Sequence, residues 1–176
     1  MIASKYIFDT ANSLVKQFNT RNPVTIAQET GVKIIRTDKF DKLLGMYTYQ
    51  WQTRIMILNN RLGYYTEKMV AAHELGHDCL HRELAKDGFL REFTLLRQVD
   101  RTEYEANAFA SHILLDSDEV YDCLRQGCSL EETAQIFCTD KNLLLIKLRE
   151  MNKLGYKLPY IEDYDKNLFS NMPEEL

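Results

Sequence analysis

Three of the chain's four histidines lie within the stretch AAHELGHDCLH, and two of them, His73 and His77, are four residues apart. In an α-helix, residues with this spacing lie on one face, so the two imidazoles can bind a single metal ion. Zinc hydrolases use this pattern, in which a glutamate after the first histidine takes a proton from the attacking water. The sequence therefore predicts His73 and His77 as ligands and Glu74 as the catalytic base. Gly76, which has no side chain, allows another element to approach the helix near the ion.

A catalytic zinc ion needs a third protein ligand. His81 is eight residues from His73, roughly 12 Å along a helix axis, which is too far for both to bind one ion. We interpret His81 instead as an aromatic donor that lines the cleft or caps the helix end. The remaining candidates are Glu103 and Glu105, in the segment RTEYEANAFASHILL.

Helical geometry favours Glu103 as the third ligand. Glu103 shares a stripe with Ala106 and Ala110, so this face is expected to pack closely on another helix and bury the carboxylate. A buried carboxylate is costly unless a charge pairs with it, and either Zn²⁺ or a buried arginine or lysine would be such a charge. Glu105 points to the other side and is expected to be solvated. Asn107, one turn after Glu103, is expected to hydrogen-bond a ligand imidazole and fix its tautomer.

Hydrophobic periodicity and capping residues predict the elements that position these side chains. The active-site helix is expected to run from an N-cap at Thr66 to about Arg82, and 83–101 to form a loop or short helices. Three antiparallel strands are predicted in VKIIRT, LLGMYTYQW and TRIMILN. Further helices are predicted over 4–18, 23–28, 102–115, from a cap at Asp116 or Ser117 to 126, 129–137 and 140–153. The fold class is therefore α+β: N-terminal helices, a small three-stranded antiparallel sheet, an active-site helix pair and a C-terminal helical half.

Composition limits the classes of function. A chain of 176 residues with 45% hydrophobic content fits one domain, which we place at 1–155, followed by a C-terminal tail at 156–176. The net charge of −4 and the lack of a basic run argue against direct binding to nucleic acid or membranes. The start lacks the apolar run of a signal peptide, and four cysteines without a CxxC pair indicate reduced thiols. These features favour a cytoplasmic protein.

HELGH, followed after 25 residues by a segment of the form ExxANxFAxxxLL, resembles the ImmA/IrrE family of metallo-endopeptidases. The likeness covers most of the chain. It implies that His73, His77 and Glu103 bind one zinc ion and that Glu74 is the general base. Members of this family are bacterial or phage-encoded cytoplasmic proteins, often paired with a helix-turn-helix repressor that they cleave to release transcription.

The resulting hypothesis is a zinc-dependent endopeptidase that hydrolyses a peptide bond in a helix-turn-helix repressor and so acts as an anti-repressor. The oxyanion formed during hydrolysis needs a hydrogen-bond donor, and Tyr64, Tyr65 and Tyr104 are candidates. The peptide substrate is expected to add as a strand to TRIMILN, at Ile55 and Ile57.

The sequence also bears on two functions other than hydrolysis. A zinc-containing sensor that binds a repressor without cutting it remains an alternative, although a purely structural site normally has a fourth protein ligand. Direct DNA binding through residues 129–155 is disfavoured, because the basic side chains of that segment are matched by acidic ones.

Overall fold

The order of helices and strands confirms the α+β class. The computed structural model describes residues 2–86, the backbone of 90–92, and residues 101–158. These residues form seven α-helices, four strands and one short 3₁₀ turn at Leu84–Lys86. The helices and strands are α1 (Ser4–Phe18), α2 (Pro23–Glu29), β1 (Lys33–Thr37), β2 (Gly45–Gln50), β3 (Thr53–Asn59), α3 (Tyr64–Leu80), β4 (Leu90–Glu92), α4 (Arg101–Leu114), α5 (Ser117–Arg125), α6 (Leu130–Ile136) and α7 (Lys141–Lys153).

Side-chain caps set the starts of several helices, and the predicted cap at Asp116 is confirmed. The Asn22 side chain accepts hydrogen bonds at the start of α2, and Asp116 does the same for α5. Ser129 and Glu132 form a capping box at α6. The predicted cap at Thr66 is wrong: the N-cap lies three residues earlier, at Gly63, whose carbonyl accepts the first helical hydrogen bond from Glu67 N–H.

The sheet is mixed and has four described strands in the order β1-β3-β2-β4. Strands β2 and β3 form an antiparallel hairpin, and the hairpin folds back so that β3 lies between β2 and β1. Strand β3 then runs parallel to β1, and β4 adds to the other side of β2. The predicted three-stranded antiparallel sheet is therefore wrong in detail. The sequence signals the hairpin turn but not which strand becomes the neighbour of β1.

Two hydrophobic clusters hold these elements together. The larger one joins α1, α2, the sheet, α3 and α4, with Leu75 of α3 and Phe109 of α4 fully buried in it. The smaller one joins α5, α6 and α7. Tyr156 and Leu158, at the start of the predicted tail, pack against the smaller cluster, and residues from 159 onward lie outside the described part of the chain. None of the described helices is long and apolar enough to cross a bilayer.

A buried lysine joins α7 to the C-terminal half of α4. The Lys147 amine has no exposed surface and lies 2.9 Å from His112 Nδ1 and 2.8 Å from Ser117 Oγ. Burial lowers the pKa of Lys147 to about 7, with a further contribution from the charge of Arg21 and opposition from nearby carboxylates, Asp116 among them. Burial and the neighbouring cations Lys147 and Arg21 likewise lower the pKa of His112 to about 2. This cluster is therefore more stable when both groups are neutral.

We predict that the stability of the fold increases between pH 7 and pH 9 because of Lys147. The unfolded chain binds this proton with the ordinary pKa of 10.5, whereas the folded chain binds it with a pKa of about 7. The free energy of unfolding should therefore rise by about 2 kcal/mol over this interval. Urea unfolding of wild type and of Lys147→Met at both pH values measures the effect.

Lys147→Met should lose most of the rise in the free energy of unfolding between pH 7 and pH 9. Lys141→Met, at the exposed start of the same helix, should keep it and is the matched control. An equal rise in wild type and Lys147→Met would show that another group is responsible.

Candidate metal centre

Helices α3 and α4 come into close contact at Gly76. A Cβ atom at Gly76 would lie 3.1 Å from the Cα and carbonyl oxygen of Ala106 and 3.3 Å from Cβ of Phe109. The backbones approach this closely because neither Gly76 nor Ala106 has a large side chain. The predicted role of Gly76, to let another element approach the helix, is confirmed. Because the two helices lie this close, the first turn of α4, which carries Glu103, faces His73 and His77.

Three potential ligands converge at this contact. His73 Nε2 and His77 Nε2 are 3.0 Å apart, and the two oxygens of Glu103 lie 3.3 Å from His73 Nε2 and 3.4 Å from His77 Nε2. A tetrahedral zinc ion with bonds of about 2.0–2.1 Å holds its ligand atoms roughly 3.3 Å apart. The spacing of the three side chains fits one such ion. The structure thus brings together the three residues that the sequence predicted as ligands.

The protonation of these groups suits a divalent cation. Burial lowers the pKa of the His77 imidazole to about 4, although the Glu103 carboxylate acts in the opposite direction. Burial alone would raise the pKa of the Glu103 carboxyl, but its contacts with His73 and His77 bring that pKa below its ordinary value. Near neutral pH the site therefore presents neutral imidazole nitrogen and a charged carboxylate, which are the forms that bind metal.

Asn107 orients the first of the three potential ligands. Its Oδ1 atom lies 2.8 Å from His73 Nδ1, and an amide oxygen only accepts hydrogen bonds. His73 Nδ1 must therefore carry the proton, which leaves the lone pair of Nε2 directed at the centre. The structure places Asn107 where the sequence predicted it, against a ligand imidazole.

Asp78 fixes α3 on the sheet. This buried carboxylate accepts a hydrogen bond of 2.6 Å from the Tyr47 hydroxyl of β2 and one of 3.1 Å from Arg54 of β3. Burial and the contact with Asp78 raise the pKa of Tyr47, so the phenol stays protonated. Because Asp78 follows His77 directly, these two bonds restrict the rotation of the ligand-bearing turn about the helix axis.

Glu74 lies beneath the start of β2. The side chain is fully buried, and a Cβ atom at Gly45 would lie 2.9 Å from Glu74 Oε1 and collide with Val70. Strand β2 can therefore pass this close to the helix only because residue 45 is glycine. The predicted base is thus enclosed between α3 and the sheet rather than exposed on an open helix face.

Sequence reasoning missed the role of Glu105. The side chain is 3% exposed, so the expectation that it is solvated is wrong. Its Oε2 atom lies 3.0 Å from His81 Nε2, and Oε1 accepts hydrogen bonds from the backbone N–H of Ile2 at 2.8 Å and from Arg101 Nε at 3.3 Å. The start of the chain and the C-terminal end of α3 bury this carboxylate, and the periodicity of α4 alone does not reveal them.

His81 contacts the potential ligand His77 rather than the point where the three side chains converge. Its Nδ1 atom lies 3.1 Å from Nδ1 of His77, on the side of that ring opposite Nε2. The residue is buried and is also the C-cap of α3. The i, i+4 spacing of His77 and His81 was the available signal for this contact.

The three predicted oxyanion donors have different surroundings. Tyr104 is buried and its hydroxyl donates a 2.6 Å hydrogen bond to Glu150 of α7, so its predicted role is wrong because α4 presents this side chain to α7. Tyr64 and Tyr65 are exposed in the first turn of α3, and their role stays a prediction.

The predicted docking strand is not a sheet edge. Ile55 pairs with Lys33 of β1 on one side and Thr48 of β2 on the other, and Ile57 likewise has a partner in each neighbouring strand. The hydrogen-bonding groups of β3 are therefore used within the sheet, and strand addition at these residues is ruled out. Among the described strands the edges are β1 and β4.

Comparison with known proteins agrees with this geometry. A family model described as Peptidase_M78, IrrE N-terminal-like domain, matches residues 27–149. An uncharacterized immunity region protein 2 of Bacillus phage phi105 is 34% identical over 102 residues, which cover 58% of this chain and 63% of the phage protein. The match therefore spans less than two thirds of that relative. Metallopeptidase ImmA of Bacillus subtilis (strain 168) is 25% identical over 157 residues, covering 88% of this chain and 91% of that protein.

We predict that Gly76→Ala weakens both the fold and the metal site. The new methyl group would meet the backbone of α4, which is fixed in the core, so overpacking should outweigh the better helix propensity of alanine. We expect a net loss of about 1–2 kcal/mol in urea unfolding. The metal affinity measured by titration should also fall, because Glu103 moves away from the two imidazoles.

Gly63→Ala is the matched control, since a Cβ atom there meets nothing within 4 Å in the described part of the chain. Its metal affinity should stay near wild type, and its stability should fall by no more than about 1 kcal/mol, because alanine is a poorer N-cap than glycine. If Gly76→Ala behaved like this control, the close contact would not be what positions Glu103.

Proposed function

Because the chain belongs to the Peptidase_M78 family of IrrE N-terminal-like domains, we propose that it is a zinc-dependent endopeptidase that cleaves a helix-turn-helix repressor. One observation carries this proposal. His73, His77 and Glu103 converge on one point, and Glu74 follows the first of these residues directly. A site of three protein ligands leaves one position of a tetrahedral ion open for water or substrate, as catalytic sites require.

The chemistry of the donors favours one zinc ion. Two imidazole nitrogens and one carboxylate are the ligand set of several zinc hydrolases. The hard cations magnesium and calcium prefer sites built from oxygen alone. The match to a relative named a metallopeptidase supports the presence of a metal ion at this site.

In the proposed reaction, Glu74 handles the proton. A zinc ion held at this site supplies Lewis acidity, which polarises the scissile carbonyl and makes the attacking water more acidic. Glu74 takes the proton from that water and then delivers it to the leaving amine nitrogen. Glu74 is buried where β2 passes over α3 at Gly45, and this burial shields the proton from bulk solvent. Asn107 keeps His73 in the tautomer that binds metal throughout the cycle.

The names of the relatives, rather than the shape of the site, support the choice of substrate. The phage relative is named for an immunity region, which fits a protein that acts on a repressor. Cleavage of the repressor would relieve repression, so this chain would be an anti-repressor. A repressor works in the cytoplasm, and the proposal places this chain there as well.

The test is to mix the zinc-loaded protein with each helix-turn-helix protein found encoded near its gene and to follow fragments by mass spectrometry. Wild type should cut the repressor at a defined bond. Glu74→Gln should bind zinc normally but cleave roughly 10²–10⁴-fold more slowly, because it lacks the base. Glu67→Gln, which changes a carboxylate on the same helix that pairs with Arg36, should cleave at nearly the wild-type rate.

Two results would contradict the proposal. Equal cleavage by wild type and Glu74→Gln would mean that another protease causes it. A stable complex of zinc-loaded wild type with an intact repressor would instead identify a regulator that binds without cutting.

A further inference from the structure

A row of three side chains runs away from the metal centre behind His77. His77 Nδ1 is 3.1 Å from His81 Nδ1, and His81 Nε2 is 3.0 Å from Glu105 Oε2. All three residues are buried, with exposed fractions between 1% and 6%. Buried polar groups are almost always hydrogen-bonded, so each of the two contacts in this row needs one donor and one acceptor.

The positions of the protons follow from the end of the row. A carboxylate can only accept, so His81 Nε2 must carry a proton and donate it to Glu105. A neutral His81 then has its lone pair on Nδ1, and His77 Nδ1 must donate to it. The lone pair of His77 is therefore left on Nε2, the atom that lies 3.4 Å from Glu103 and 3.0 Å from His73 Nε2. A metal ion between these atoms would take the place of a hydrogen-bond donor. Glu105 would therefore set the tautomer of His77 without touching it, because His81 lies between the two side chains.

Two further contacts fix Glu105 itself. Its Oε1 atom accepts the backbone N–H of Ile2 and the Nε–H of Arg101, so only Oε2 is available to His81. The carboxylate has no freedom to exchange its two oxygens without breaking these bonds. The hydrogen bond from Ile2 therefore links the segment before α1 to the residues behind His77.

We propose that His81 and Glu105 are positioning residues that hold His77 in the tautomer and orientation that bind the metal. This inference rests on the metal centre of the proposed function but does not need the chain to be a peptidase. Contacts of this kind behind a ligand histidine change metal affinity by about 10–100-fold in other sites.

Glu105→Gln tests the proposal with almost no change in shape. Because Ile2 and Arg101 both donate to Oε1, the amide oxygen must stay at that position, and the amide NH₂ must face His81. His81 would then accept at Nε2 and donate from Nδ1, so His77 would carry its proton on Nε2. Zinc affinity, measured by competition with a chelating dye, should fall by about 10–100-fold.

Glu150→Gln is the matched control. Glu150 is also a fully buried carboxylate, bonded to Tyr104 and Lys153, but it has no contact with the row. Its zinc affinity should equal that of wild type. Unchanged affinity in Glu105→Gln, within about threefold, would overturn the proposal.

A second measurement needs no variant and gives a result even if Glu105→Gln fails to fold. Nitrogen-15 NMR of the metal-free wild type distinguishes protonated from unprotonated ring nitrogens, and the chain has only four histidines to assign. His77 should be protonated at Nδ1 and bare at Nε2. A proton on Nε2 would refute the proposal. Wild type that binds no zinc would instead refute the proposed function, and the NMR result would still decide the tautomer.

Discussion

The structure depends on the placement of three metal-binding atoms within 3.0–3.4 Å of one another, two of them on buried imidazoles and one on the half-buried Glu103. When both Nε2 atoms are unprotonated, as metal binding requires, the two imidazole lone pairs and the carboxylate repel each other at this distance. Such a cluster is costly unless a cation lies between them, because burial strengthens the repulsion. The packing of α3 against α4 provides the force that keeps the cluster assembled, and a bound metal ion removes its electrostatic cost. Folding and metal binding should therefore be strongly coupled in this chain.

Each element around the centre restricts the position of one of its parts. Gly76 allows α4 to approach, Asp78 sets the rotation of α3 on the sheet, and Gly45 lets β2 cover Glu74. Asn107 Oδ1 accepts a hydrogen bond from His73 Nδ1, and in our proposal His81 Nδ1 accepts one from His77 Nδ1, which sets the tautomers of the two imidazoles. The centre is consequently built from rigid helices and strands, and a small displacement of one helix would change the geometry of every ligand.

Much of this site was predictable because it depends on spacing within single helices. The i, i+4 relation of His73 and His77 fixes their common face. The small residues Ala106 and Ala110 mark the face of α4 that packs, so the carboxylate on that face could be chosen as a ligand. The helices around the site were also located closely, since caps such as Asp116 act locally.

The errors concern contacts between elements that are distant in sequence. Glu105 was expected to be solvated because α4 alone shows no partner for it, whereas Ile2 and His81 bury it from two other segments. Tyr104 faces α7 rather than the metal for the same reason. The order of the strands depends on how the hairpin docks on β1, and a hydrophobic pattern does not specify that choice.

The most direct test of the metal centre is X-ray absorption at the zinc edge of the purified, zinc-loaded protein. The structure predicts nearest atoms of nitrogen and oxygen at about 2.0–2.1 Å, including two imidazole rings, and no sulfur. In Glu103→Ala the two imidazole signals should remain while one oxygen ligand is lost or replaced by water. Sulfur atoms at about 2.3 Å, or fewer than two imidazoles in wild type, would contradict the site formed by His73, His77 and Glu103.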